Sequence, residues 1–297
     1  MGNFLNESKS DWGGYWTEKK LEAIAKYVVA YLKIMKKNPY WQTIYFDGFA
    51  GSGNKYPKNK SLLYKQLPLI EQEEKVYKGA AERILRLPEN LSFTYHYFVD
   101  KNQESLDKLR GKIKGYEKYK EFPFQFRACD CNKELLNLAK AMHLHKNKYA
   151  ALLLLDPFGM QIKWDSIQSL QDTRTDIWIL VPTGVIVNRL LDKEGELKHL
   201  EKLKSFFGMD EEEIRNFFYE TKQHKGLFGS NEAITKVSDP IRKIAELYIQ
   251  QLGNIWKYVT EEPLVLLNSR NVPIFHFVFA SNNKTALNIA KQIIGKS

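Results

Sequence analysis

The feature that most constrains this chain is an apolar run cut off by an acid. In "YAALLLLD", Tyr149 to Asp156, nothing polar separates the tyrosine from the aspartate. Such a run suits a strand covered on both faces, as in the middle of a parallel sheet. Three other runs end the same way: "WQTIYF" at Asp47, "FTYHYFV" at Asp100 and "FPFQFRAC" at Asp130. Helical patterns lie between them, "GAAERILRL", "NQESLDKLRGKIK" and "NKELLNLAKAMHLH", the last with Asn132 as the expected N-cap. Strands alternating with helices imply parallel β-α-β crossovers.

The flanks complete the pattern. Leu21, Ile24, Ala25, Val28, Leu32 and Met35 recur at helical spacing from Thr17 until Asn38-Pro39 stops them. "WDSIQSLQ" reads as a short helix and "DIWILVP" as a further strand. Residues 186–254 read as mostly helical. "PLVLLNS" and "IFHFVFA", joined by "RNVP", read as an antiparallel hairpin at one sheet edge, and "KTALNIAKQII" as a closing helix. The expectation is one α/β domain over residues 1–297, with an inserted basic loop at 54–77 and a helical insertion at 193–253.

Composition narrows the setting. No run of about 18 apolar residues occurs, which argues against a membrane span. "MGNFLNESKSDWGGYW" lacks the apolar core of a secretory signal, and its sixth residue is not the Ser or Thr of a myristoylation site. The two cysteines, Cys129 and Cys131, fit a reducing cytoplasm and make no disulfide framework. Structural zinc takes four ligands and no His/Cys pair is spaced to match these two, while His143 and His145 read as surface histidines, so no metal is expected. A net charge of +10 points to a polyanionic partner, with nucleic acid the first candidate.

In open α/β sheets, ligands bind beyond the carboxyl ends of the strands, and Asp47, Asp100, Asp130 and Asp156 all stand there. An acid in that position also caps a following helix. Here the first is followed at once by the small-residue turn of "DGFAGSG". Gly51 and Gly53 would let the backbone approach a ligand, while Ala50 and Ser52 keep the turn slim. The turn lacks the third glycine of the dinucleotide fingerprint and the Gly-Lys-Ser/Thr of a P-loop. An acid-rich pocket suits a cationic, hydroxyl-bearing ligand, and S-adenosyl-L-methionine has an ammonium, a sulfonium and a ribose diol.

The turn resembles motif I of class I S-adenosylmethionine-dependent methyltransferases. That resemblance implies a Rossmann-like fold, with a mostly parallel seven-stranded sheet and a C-terminal antiparallel hairpin. It implies that Asp100 holds the ribose hydroxyls and that Asp130 meets the adenine amine. Asp47, Phe49, Ala50, Gly51, Gly53 and Cys131 complete the expected cofactor contacts. Gly51 and Asp100 lie 100 − 51 = 49 residues apart, against roughly 20 in a compact unit, which the insertion at 54–77 accounts for if it leaves the sheet.

"LLLLDPFG" resembles motif IV of the amine-methylating members, with one proline fewer and the aromatic one place earlier. It is similar as well to that motif in tRNA guanine-N2 dimethyltransferases. A nucleobase amine is a poor nucleophile because its lone pair is delocalised into the ring. Asp156 and the carbonyl of Pro157 could accept its two hydrogens, and Phe158 could stack on the base. Pro157 and Gly159 are also ordinary turn formers.

Longer stretches carry a closer resemblance. "YWTEKKLEAIAKYVVAYLKIM", "YFDGFAGSG", "YHYFVDKN", "LLLLDPFGMQIKW", "DIWILVPTGVIVNRLL" and "PIFHFVFAS" occur in the order seen in three-Cys-motif partner (TcmP) proteins, a bacterial family grouped with the methyltransferases. In that family the partner protein carries the three cysteines. The resemblance implies a methyl-donor cofactor and a protein partner, and leaves the substrate open.

Trp164 reads as core. Thr183, Asn188 and Arg189 read equally as substrate contacts or as a polar helix start. Two basic segments could meet nucleic acid, the run Lys108, Arg110, Lys112, Lys114, Lys118 and Lys120 and the 54–77 loop with its Tyr56 and Tyr64; the loop, which follows the glycine turn, is the expected contact. Three functions stay open: methylation of an exocyclic nucleobase amine in DNA or RNA, methylation of a protein or small molecule, and a non-catalytic subunit that binds the cofactor or a nucleotide.

Overall fold

The computed structural model describes residues 14–51, 81, 83, 84, 87, 88, 90–114, 123–193, 195–226, 229–268 and 270–296. Gly53, the 54–77 insertion, Lys118 and Lys120 lie outside the described residues.

The chain opens with α1 (Gly14–Lys36) and β1 (Gln42–Asp47). Then follow β2 (Tyr95–Asp100), α2 (Gln103–Lys114), β3 (Phe124–Ala128), α3 (Cys131–Leu144), β4 (Tyr149–Leu155), α4 (Trp164–Gln168) and β5 (Thr175–Val181). These five strands pair in parallel in the order β3-β2-β1-β4-β5. β4 is buried from Ala150 to Leu155, as a strand flanked on both edges and covered on both faces must be.

The C-terminal strands reverse direction. β10 (Pro273–Ser281) runs antiparallel to β5, from His276 opposite Val181 to Ser281 opposite Asp176. Its nine residues are long enough for two short partners on the outer edge. β9 (Leu264–Leu267) pairs near its start and β8 (Tyr258–Val259) near its end. The sheet therefore has eight strands rather than the seven expected.

Side-chain alternation divides the core in two. Tyr45, Leu152, Leu154, Trp178, Phe277 and Phe279 face α1, α2 and the closing helix α8 (Lys284–Ile294). Phe46, Leu153, Leu155, Ile177, Ile179 and Val278 face α3, α4 and the helices after β5. Those are α5 (Leu200–Phe207), α6 (Glu211–Phe218) and α7 (Pro240–Gly253).

The stretch expected to be mostly helical is not. β6 (Tyr219–Gly226) and β7 (Gly229–Lys236) form a separate antiparallel hairpin. Lys236 fastens it: its Nζ donates to Asn188 O at 2.6 Å, Asn188 Oδ1 at 2.7 Å and Leu191 O at 2.6 Å. Burial lowers the pKa of that lysine to about 8. Among the described residues, no helix is long and apolar enough to cross a membrane.

Candidate functional site

The sheet order sets the strand-end acids along one rim. Asp100 and Asp47 end β2 and β1, and Asp130 and Asp156 follow β3 and β4; the strands are neighbours in the order β3, β2, β1, β4. The order turns back between β1 and β4, the switch point where α/β sheets open a crevice beyond their carboxyl ends. Asp47 and Asp156 flank it.

The turn after β1 is stitched to both neighbours. Gly48 N donates to Leu154 O at 3.0 Å, and Ala50 N to Val99 O at 2.9 Å. Asp47 is fully buried and accepts from Phe49 N at 3.2 Å and from the Tyr45 hydroxyl at 3.4 Å. Burial first, then the charges of Asp47 and Asp156, push the Tyr45 phenol well above its ordinary pKa, so it stays a donor. Phe49 is half-buried against the α3 side of the sheet.

Asp100 meets the glycine turn. Its Oδ2 accepts from Gly51 N at 3.2 Å and its Oδ1 from Asn102 N at 2.7 Å. The smallness of Gly51 is not what the geometry demands: its φ is not positive, and a Cβ there would sit 3.7 Å from Ser105 Cβ. Gly48 is the constrained position, because a Cβ would come within 2.7 Å of both Cys131 Sγ and Leu155 Cδ2. Of the turn's described glycines, the constrained one is thus the one beside the acid, not Gly51. A cavity of about 400 Å³ opens between the turn and α2, lined by Ala50, Gly51, Ser105, Lys108, Leu109 and Lys112 among others.

Asp130, not Asn132, caps α3: its Oδ1 accepts from Asn132 N and Nδ2, both at 2.8 Å. Asn132 ties this cap to the loop after β4, donating to Gln161 O at 2.8 Å and accepting from Lys163 N at 2.8 Å. Burial works to raise the Asp130 pKa, but hydrogen bonds from Lys101, whose Nζ is 2.6 Å away, and from Asn132 outweigh it and hold it low. Cys131 is buried beneath Gly48, and desolvation, with Asp130 and Asp47 nearby, keeps its thiol protonated.

The fourth acid brought a residue that the sequence reading missed. Lys20 Nζ lies 2.6 Å from Asp156 Oδ2, with both side chains at least 96% covered (3% and 4% exposed). Lys20 falls on the buried stripe of α1 with Ile24, Tyr27 and Tyr31. A lysine on an apolar stripe signals a buried counter-charge, since an unpaired one is too costly. Burial raises the Asp156 pKa, and Lys20 opposes that shift. Pro157 is buried and Phe158 half-buried, while Gly159 N donates to Gln161 Oε1 at 2.7 Å.

Other expected residues are structural. Trp164 packs in the core, edge-on to Tyr248 with ring centroids 5.7 Å apart. Thr183 is buried, its Oγ1 2.8 Å from His276 Nδ1, and Asn188 serves the Lys236 clasp. The basic side chains Lys108, Arg110, Lys112 and Lys114 of α2 are exposed.

No family model and no curated protein matches the chain. A comparison with solved structures finds a Legionella pneumophila protein described by the family model DUF519, 12% identical over 89% of this chain and 97% of that one. Its TM-score of 0.34 is too low to carry an argument about fold or chemistry.

Proposed function

We propose that this chain is an S-adenosylmethionine-dependent methyltransferase acting on an exocyclic amine of a nucleobase in DNA or RNA. The observation that carries the reading is the single rim of four acids, in strand order, with the backbone of the glycine turn docked on one of them. A mostly parallel sheet completed by a reversed C-terminal strand is also what the class I resemblance implies.

The donor set fits the cofactor. Asp100 accepts two backbone amides at the end of β2, where the resemblance places the contact to the ribose diol. Asp130 is partly exposed and held ionised, which suits an amine donor. Asp47 adds buried negative charge beside the turn, favourable to a positive ligand. When bound, the cofactor supplies an electrophilic methyl group on a cationic sulfur.

The chain's own residues would prepare the amine. The Asp156 carboxylate and the Pro157 carbonyl accept its two hydrogens, and Phe158 packs on the ring. These contacts localise the lone pair and hold the nitrogen in line, where positioning supplies much of the rate. Asp100, Asp130 and the glycine turn would hold the cofactor that supplies the methyl group to that nitrogen, the carbon–sulfur electron pair staying on sulfur. The nitrogen then sheds one proton through the carboxylate to water. A base inside a duplex would have to be flipped out to reach this point.

The test is transfer of labelled methyl from the cofactor into mixed RNA and genomic DNA. Label in nucleic acid, lost in Asp156→Ala, is the expected result. Label in protein or small molecules alone would move the substrate elsewhere. The closed Lys20–Asp156 pair favours one other reading, a subunit that binds the cofactor without turnover. Binding with no transfer to any acceptor would establish that alternative.

A further inference from the structure

The α1 helix contributes a charge to a site otherwise built from strand ends. Lys20 stands 136 residues from Asp156 in sequence, yet its ammonium meets the carboxylate at Oδ2. Among the described residues, the titratable groups facing Asp156 are Lys20 from α1 and, from β1, Tyr45 with Asp47 behind it. The β1 groups offer no positive charge, so Lys20 alone opposes the burial of this carboxylate.

We propose that Lys20 is a positioning residue for methyl transfer: it fixes the Asp156 carboxylate through Oδ2 and leaves Oδ1 for the amine of the substrate. This rests on the function proposed above. A protonated Asp156 could not accept from an amine, and a freely rotating one would lose the alignment on which rate depends. Ion pairing favours the charged form of an acid, and desolvation favours the neutral one. Removing the ammonium leaves desolvation unopposed. The proton shed by the methylated nitrogen leaves by way of Asp156 Oδ1.

Two readouts on the wild type, Lys20→Met and Lys20→Arg decide the matter. One is the carboxyl ¹³C titration of Asp156, assigned by its loss in Asp156→Asn, which needs no substrate. The other is the rate of methyl transfer between about pH 5 and pH 9. In the wild type, the proposal expects Asp156 to titrate as a carboxylate ionised at neutral pH. Lys20→Met is expected to raise the proton affinity of Asp156 at least about tenfold and to carry the acid limb of the rate profile upward with it. Lys20→Arg, which keeps the charge, should restore both.

An active Lys20→Met whose Asp156 titrates as in the wild type would overturn the role of Lys20 and leave the methyltransferase reading intact. A wild type with no transfer, but with the titration shift, would do the reverse. Should Lys20→Met not fold, the wild-type titration still decides: an Asp156 protonated at neutral pH refutes the proposal.

Discussion

Gly48 and Gly51 show how far single residues could be read. "DGFAGSG" announces a tight turn, but the chain alone does not say which glycine is indispensable. That depends on Cys131 and Leu155, which lie far along the sequence and close over Gly48. Gly48→Ala is expected to cost about 1–3 kcal/mol in urea unfolding, through overpacking against the buried side chains of Cys131 and Leu155. Gly51→Ala should stay within about 0.5 kcal/mol of wild type. Equal losses at both positions would mean that the turn is not held as described. Lys20 was legible in principle, because it interrupts the apolar stripe of α1, but its partner was not. Only the fold brings α1 over the end of β4.

At the scale of elements, the acid-terminated strands were legible because burial on both faces forces unbroken apolar runs. The hairpin of β6 and β7 was not. "YETKQHKG" and "GSNEAITK" are mostly polar, with only Tyr219, Ala233 and Ile234 apolar, and a two-stranded ribbon outside the main sheet imposes no apolar alternation. The capping box of Asp210 and Glu213 marks where α6 starts, while nothing in "NFFYE" marks where it stops. β10 carries a prediction of its own. His276 is buried beside Thr183 at the end of β5, and burial lowers its pKa to about 4 from an ordinary 6.5. Between those values the unfolded chain binds a proton that the folded chain refuses. The contribution is complete above pH 6.5 and is lost as the pH falls toward 4. Over that window, wild type should lose about 2–3 kcal/mol more than His276→Gln in denaturant titrations. Parallel pH profiles for the two would show that His276 is not held neutral by the fold.

For the whole molecule, the sequence was enough to expect one α/β unit, because alternating strands and helices allow few other layers. It did not supply the strand order, which arises from crossovers and from β10 inserting between β5 and β8. The account of function depends on that order, since only it sets Asp130, Asp100, Asp47 and Asp156 side by side. If the rim exists to hold a cationic methyl donor, removing one acid must weaken binding without unfolding the sheet. Calorimetric titration of S-adenosylhomocysteine into wild type and Asp100→Ala measures this directly. The account predicts binding to the wild type and at least about tenfold weaker binding to the variant, the loss of one charged hydrogen-bond acceptor. Equal affinity in the two proteins, or no binding to either, would contradict it.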